Sequence, residues 1–332
     1  MEKLLVQLPR KIDHIIVPPI KCQGIKTKLV KFIANNIRWA NNGVWYEPFV
    51  GSGVVLFNLR PNRAIVSDTN IHIIQFYNDL YLKKFNLIDF KEFLEFEGNK
   101  LKDRGKEHYY FIRDRFNQNQ NSFDFLFLNR SCFNGLMRFN SNGGFNVPFG
   151  HKPERFRQSY ITKILNQIVR VQEVMSGGDW IFKTQDWSSV INDLDYEDFV
   201  YLDPPYIGRF TDYYNQWDES DAIQLANWSQ STHASFALSM WVKNKYRFNE
   251  HLNAYWGGNV LRTYEHFYHL GSTENLRNAM LEGLVIKPES ASILTRQYPQ
   301  IDQKQLEISI SDLVLPVAKS VVISHFSSSH SL

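Results

Sequence analysis

Apolar runs in this chain are short and regularly interrupted, and their spacing predicts an alternation of strands and helices. Val44–Phe49 (VWYEPF) and Ala64–Ser67 (AIVS) read as short buried strands. Between them, Gly53–Leu59 (GVVLFNL) starts a helix after a glycine turn, and Ile71–Leu80 reads as a second helix. Phe199–Leu202, Ser235–Leu238, Glu265–His269 and Met280–Ile286 read as further strands. The alternation predicts an α/β fold with a mostly parallel, doubly wound sheet. The last two strands, joined through a Gly-Ser-Thr-Glu-Asn segment, predict an antiparallel edge hairpin.

The middle of the chain breaks this rhythm. Residues 85–180 are basic, aromatic and rich in Asn, and open with helical patterns (FKEFLEFEGNKL, YYFIRDRF). A glycine- and asparagine-rich stretch follows, NRSCFNGLMRFNSNGGFNVPFG, with the character of a β-hairpin. The expected organisation is a discontinuous sheet domain, 17–84 and 181–287, carrying a mostly helical inserted module at 85–180. Beyond Pro288 the pattern weakens, and residues 288–332 form an extension whose role the sequence does not reveal; its Ser/His-rich end is expected to fray.

Composition narrows the class. With 43% hydrophobic and 21% charged residues, the 332-residue chain is an ordinary globular protein. No apolar stretch approaches the roughly 20 residues that span a bilayer, and the first 16 residues lack the pattern of a signal peptide. Two cysteines, Cys22 and Cys132, are too few and too far apart for a disulfide framework or a zinc site. His266 and His269 would face opposite sides of a strand, so no metal is expected. A reducing cytoplasm is the expected compartment.

The net charge of +3 hides an uneven distribution. Residues 1–63 carry ten Lys/Arg against three Asp/Glu, and residues 98–170 thirteen against five. Residues 186–240 carry one base, Arg209, against ten acids. A polyanion would be drawn to the first two segments and repelled by the third; clustered solvated faces would read the same way.

Three motifs carry candidate chemistry. In EPFVGSGVVLFNL, Glu47 to Leu59, Gly51 and Gly53 allow close backbone approach at a helix N-terminus. Asp68 follows 17 residues after Gly51, at a strand end, placed to accept from ribose hydroxyls. The third glycine of a dinucleotide fingerprint is missing, so the set suggests a nucleoside-type cofactor, against the plain reading of a tight turn. PPIKCQGIKTKLV, Pro18 to Val30, places Lys21 and Lys26 five residues apart around a turn; a surface helix with solvated lysines is the alternative. In YLDPPY, a strand ends at Asp203, leaving a carboxylate at the sheet's carboxyl edge. Pro204 and Pro205 lack N–H donors and fix the backbone, so the Pro204 carbonyl points outward as an acceptor. Asp203 and that carbonyl would take both protons of an exocyclic amino group, while Tyr206 stacks on its ring.

In this order, the lysine motif, EPFxGxG, the basic insert and DPPY resemble the Dam-like, alpha-group DNA adenine-N6 methyltransferases, over roughly residues 17–286. The resemblance implies a Rossmann-like class I sheet, S-adenosyl-L-methionine as methyl donor, no metal and double-stranded DNA as substrate. It assigns Lys26, Glu47, Phe49, Gly51, Gly53, Asp68, Asp186 and Asp203 to the cofactor, and Asp203, Pro204, Pro205 and Tyr206 to catalysis. It assigns Lys21, Arg130, Leu136, Arg138, Asn140 and Pro148 to DNA contact, with Phe133 and Asn134 at a hairpin tip entering the base stack. Arg138 would read a guanine edge, a phosphate contact or a surface ion pair being its other readings. One departure stands at Gln23, where relatives usually have glycine. The resemblance further implies GATATC as the methylated palindrome, with GATC as fallback, a monomer, and a partner restriction endonuclease that shares the site without forming a stable complex. Cytosine-N4 methylation, a DNA-binding protein that has lost catalysis, and an RNA or protein-glutamine methyltransferase are the competing readings.

Overall fold

The computed structural model describes residues 7–206, 217–243, 248–267, 279–293 and 305–309. Five parallel strands form one part of the sheet: β1 (Trp45–Glu47), β2 (Arg63–Asp68), β3 (Asp179–Thr184), β4 (Phe199–Leu202) and β5 (Ser235–Lys243). The antiparallel part adds β6 (Val260–Phe267), β7 (Ala279–Ile286) and β8 (Gln305–Ser309). The order across the sheet is β3-β2-β1-β4-β5-β7-β6-β8. Strands β1 to β3 run outward one way, and β4 then returns to the other side of β1. That reversal creates a crevice at the carboxyl ends of β1 and β4, where ligands bind in open α/β sheets.

The alternation of β4 shows why both of its faces are apolar. Phe199 and Tyr201 point into one core with Trp45, while Val200 and Leu202 point into another with Leu225, Phe236 and Trp256. The helices follow from caps and buried stripes. Along the chain they are α1 (Val30–Asn36), α2 (Val54–Leu59), α3 (Ile71–Tyr81), α4 (Leu87–Arg104), α5 (Lys106–Asn119) and α6 (Ser122–Ser131). Then come α7 (Gln158–Met175), α8 (Trp187–Val190), α9 (Glu219–Ser231) and α10 (His251–Tyr255). Asn70 caps α3 and Asn121 caps α6, while capping boxes start α4 (Asn86, Asp89) and α9 (Asp218, Asp221).

Between α3 and β3 lie four helices and one hairpin, sharing a continuous apolar core with α1 to α3. Within it, Arg115 bridges two buried carboxylates, at 2.9 Å from Glu97 Oε1 and 2.9 Å from Asp124 Oδ2. His108 Nε2 lies 2.8 Å from the other Glu97 oxygen.

The observed elements depart from the sequence reading in five places. β3 begins at Asp179, two residues inside the span expected for the insert, and the apolar pattern around WIF was not read as a strand. Asn129, Arg130 and Ser131, expected to open the hairpin, end α6 instead, because the Asn121 cap and the run FDFLFL carry the helix through them. The hairpin is held by isolated bridges, Cys132 to Phe149 and Phe139 to Phe145, rather than by regular strands. Left-handed Asn134 (φ 54°) and Gly135 (φ 67°) interrupt the extended backbone. Finally, β8 lies in the extension beyond Pro288 and pairs with β6. The late strand expected at Glu265–His269 runs from Val260 to Phe267, and His269 lies outside the described residues.

Candidate active site and nucleic-acid face

Glu47 ends β1 and points into the interior, accepting from Trp45 Nε1 at 3.0 Å. Burial pushes its carboxyl up to about 8, the Trp45 hydrogen bond opposing and the Asp203 charge adding. The chain then turns through Gly51 (φ 48°) and Gly53 (φ 70°) into α2. A Cβ on Gly53 would stand 2.5 Å from the Phe57 ring, so both conformation and space require glycine there. Asp68, at the end of β2, reaches across to this turn: Gly51 N donates to Oδ2 at 3.0 Å and Asn70 N to Oδ1 at 2.8 Å. Burial raises the Asp68 pKa despite these two donors.

An aromatic wall flanks the turn. Phe49 meets Trp217 edge-on at 5.4 Å, and Trp217 meets Trp187 at 6.4 Å. Asp186 is exposed beside Trp187 and caps α8, accepting from Ser188 N at 3.0 Å and Ser188 Oγ at 2.7 Å.

Opposite Glu47, β4 delivers Asp203 to the crevice. Lys26 Nζ lies 2.7 Å from Asp203 Oδ1 and donates to Gly24 O at 3.0 Å. Lys26 is only 5% exposed and its ammonium also sits 5.2 Å from the Tyr206 ring centre. Burial raises the Asp203 pKa to about 6; Lys26 opposes the rise and the Glu282 charge adds to it. Tyr206 donates its hydroxyl to Glu282 Oε2 at 2.7 Å. Glu282, buried in β7, was missed by sequence reasoning; a lone acid inside the apolar run AMLEGLVI was the signal. Trp187 and Trp217 were missed as well, having no motif of their own.

This geometry fits a small ligand with a nucleoside part and a cationic part. The left-handed glycine turn leaves room for close approach, Asp68 keeps further acceptor capacity beside it, and buried Glu47 and half-buried Asp203 put two carboxyls at the ends of neighbouring strands. Cys22 packs against Gly51, its thiol pushed well up by burial and by the Asp68 and Asp203 charges, which makes it a packing residue and not a nucleophile. Among the described residues, no group of three or more His, Cys, Asp or Glu could hold a metal ion.

Lys21 connects this site to the hairpin. Its backbone is clamped by Asn129, Lys21 N donating to Oδ1 and Nδ2 donating to Lys21 O, both at 2.8 Å. On the hairpin, Phe133 is 45% exposed, Asn134 is exposed and Pro148 is exposed, with the Pro148 carbonyl accepting from Phe133 N at 2.8 Å. Arg138 donates through Nε to Asn146 Oδ1 at 2.9 Å. Asn140 uses its side-chain oxygen to close the turn, accepting from Asn142 N and Gly144 N at 3.0 and 2.8 Å. Leu136 is half-buried against the core.

Arg130 corrects the expectation of a DNA contact. It is 3% exposed and donates to Pro19 O and Gln167 Oε1 at 3.1 and 3.0 Å, so the end of α6 holds its guanidinium inside the protein.

Comparison with known proteins gives this arrangement its relatives. The D12 class N6 adenine-specific DNA methyltransferase family matches residues 23–278. The type II methyltransferase M.MjaIII of Methanocaldococcus jannaschii is 31% identical over 269 residues, covering 74% of this chain and 90% of the relative. A DNA adenine methylase of Vibrio cholerae is 32% identical over 237 residues, covering 68% and 80%. The type II methyltransferase M.CviBI of Paramecium bursaria Chlorella virus NC1A is 29% identical over 225 residues, covering 65% and 79%.

Proposed function

The chain belongs to the D12 class of N6-adenine-specific DNA methyltransferases, and on that premise we propose how its residues divide the work and which sequence it marks. S-adenosylmethionine supplies the activated methyl group when bound. Gly51 and Gly53 would give it backbone contact, Asp68 and Asp186 would accept from its hydroxyl and amino groups, Phe49 would pack on it, and Glu47 would face its cationic part. Lys26 completes the pocket wall and keeps Asp203 ionised.

Asp203 and the Pro204 carbonyl accept the two protons of the target adenine's amino group, and Pro205 fixes the turn that aims them. Holding both protons draws the nitrogen lone pair out of conjugation and raises its nucleophilicity. Direct in-line displacement would form the N6–C bond as the sulfonium C–S bond breaks and the neutral thioether leaves, so no nucleophilic side chain takes part; Asp203 would stabilise the positive charge developing on N6 until one amino proton is lost. Extruding the base costs about a few kcal/mol. Stacking on Tyr206 returns about 1–3 kcal/mol, and Phe133 and Asn134 fill the space the base leaves.

On the DNA, Lys21, Leu136, Arg138, Asn140 and Pro148 face base edges, a bidentate Arg138 to guanine contributing about 1–3 kcal/mol of discrimination. The methylated palindrome is GATATC, with GATC as fallback, following the resemblance of the lysine motif, hairpin and DPPYIGR to the modification enzyme of the EcoRV system. The enzyme works as a monomer in the cytoplasm of a bacterial, archaeal or phage-infected cell. It protects its host against an endonuclease that cuts the same site and does not bind it stably. The inserted segment 85–180 is its target-recognition domain.

The observation that carries the catalytic reading is the pair of buried Lys26 with half-buried Asp203 at the sheet's reversal point, beside Tyr206 and near the glycine turn. The test supplies purified protein with S-adenosylmethionine and unmethylated genomic DNA and maps modified bases by single-molecule sequencing. N6-methyladenine confined to GATATC is expected. Modification at another site replaces the specificity; N4-methylcytosine, or DNA binding without modification, overturns the proposal.

A further inference from the structure

Four cations converge beside the hairpin, and the carboxylate nearest to them in the chain, Glu154 between Lys152 and Arg155, forms no ion pair with any of them among the described residues. Lys21 shares one electrostatic neighbourhood with Arg130, Lys152 and Arg155, and among the described residues none of the four forms an ion pair. Their partners are neutral. Arg130 donates to Pro19 O and Gln167 Oε1. Arg155 donates through Nε to Arg130 O at 2.7 Å and lies 4.4 Å from the Tyr160 ring centre, with Arg130 at 5.0 Å from the same ring. Arg130 is almost wholly buried, so its charge cannot be relieved by solvent.

The cluster is also held in register with the hairpin. Besides the Asn129 clamp on its backbone, Lys21 packs on Gly135, where a Cβ would stand 2.6 Å from Lys21 Cδ. A rigid group of like charges is unfavourable by itself, and an anion placed among them would relieve it. Position beside base-facing residues on a DNA-modifying enzyme selects the anion.

We propose that Lys152 and Arg155 form a phosphodiester-binding site for the DNA backbone beside base-facing Lys21, with the charges of Lys21 and buried Arg130 reinforcing the field. This rests on the DNA-methyltransferase reading above. The state of Lys21 is consistent with it. Burial, then the charges of Arg155, Arg130 and Lys152, lower its pKa to about 8, with nearby Cys132 opposing. Above that pH the free protein loses the Lys21 charge, and a bound phosphate restores it.

The test measures equilibrium binding of a duplex carrying the methylated site to full-length protein, against salt and pH, for wild type and Arg155→Gln. Thermal unfolding and S-adenosylmethionine binding monitor the fold. Loss of one phosphate contact lowers the slope of log affinity against log salt by about 0.9. Wild-type affinity should fall as pH rises through about 8, and in Arg155→Gln that fall should move to higher pH, because a like charge has been removed. Lys152→Gln, at an exposed position, provides a second variant and should lower the salt slope likewise. Affinity lost with an unchanged slope and midpoint makes Arg155 a structural residue and overturns the proposal, as do unaltered slopes in both variants. A wild type that makes no N6-methyladenine instead sinks the functional reading itself, so the two failures are distinguishable.

Discussion

Replacing Lys26 by Met removes a charge and keeps the length of the side chain. In the protein, the ammonium lies 2.7 Å from Asp203 Oδ1, and burial has already raised the Asp203 pKa to about 6. At that separation two unit charges attract by about 1.5 kcal/mol in a water-like medium and about 6 kcal/mol at an effective dielectric of about 20. At 1.36 kcal/mol per pKa unit this corresponds to about 1 to about 4 units. Carboxylates beside a cation usually move by about 1–3 units. Lys26 favours the ionised acid, so its loss moves the pKa up, to between about 7 and about 9. On the proposed mechanism methyl transfer needs the ionised form as acceptor, so the acidic limb of the activity profile should follow it. The assay is kcat/KM for DNA against pH, which reports the free enzyme, with S-adenosylmethionine affinity measured alongside. An acidic limb that stays in place or moves to lower pH in Lys26→Met refutes the reasoning.

Gly53→Ala should lower the melting temperature and weaken cofactor binding, since the left-handed conformation alone costs about 1–2 kcal/mol before the new Cβ meets Phe57 at 2.5 Å; unchanged thermal unfolding would contradict this. Arg138→Ala should relax the sequence preference in methylation of variant sites more than it weakens nonspecific binding, and an equal loss at all sequences would make Arg138 a phosphate contact. Arg115→Met strands two buried acids, Glu97 and Asp124, and should cost about 3–5 kcal/mol in urea unfolding. A loss below about 1 kcal/mol, the level of a surface pair, would show that the pair is solvated.

Strands with a strong local pattern were legible in the sequence because both faces of a central parallel strand are apolar. FVYL in β4 is the clearest case, and its end at Asp203 placed the candidate acceptor at the right edge of the sheet. β3 was not legible, because exposed Ile181 and charged Lys183 mix with buried Trp180 and Phe182 at what becomes the edge of the sheet. The pairing of β8 with β6 depends on long-range contact that a local pattern does not carry. Within the site, short motifs pointed to Glu47, the glycine turn, Asp68 and Asp203, whereas Glu282 and Arg155 act through tertiary contacts with no motif beside them. Arg130 failed for a related reason: a basic residue in a basic segment looks like a surface residue until the helix that buries it is known. The acidic segment was ambiguous in the same way. Asp198 accepts from Val44 N and Asp195 N at 2.7 and 3.0 Å, and Asp186, Asp218 and Asp221 serve helix starts. Much of that charge is backbone capping.

Asp203→Ala tests the central claim most directly. Single-turnover transfer from S-adenosylmethionine to DNA carrying the methylated site would be measured together with cofactor binding and duplex binding. Loss of N6-methyladenine formation with cofactor binding still measurable is the result expected if Asp203 accepts from the target amino group. Turnover near wild type would contradict it and remove the acceptor role from the carboxyl end of β4.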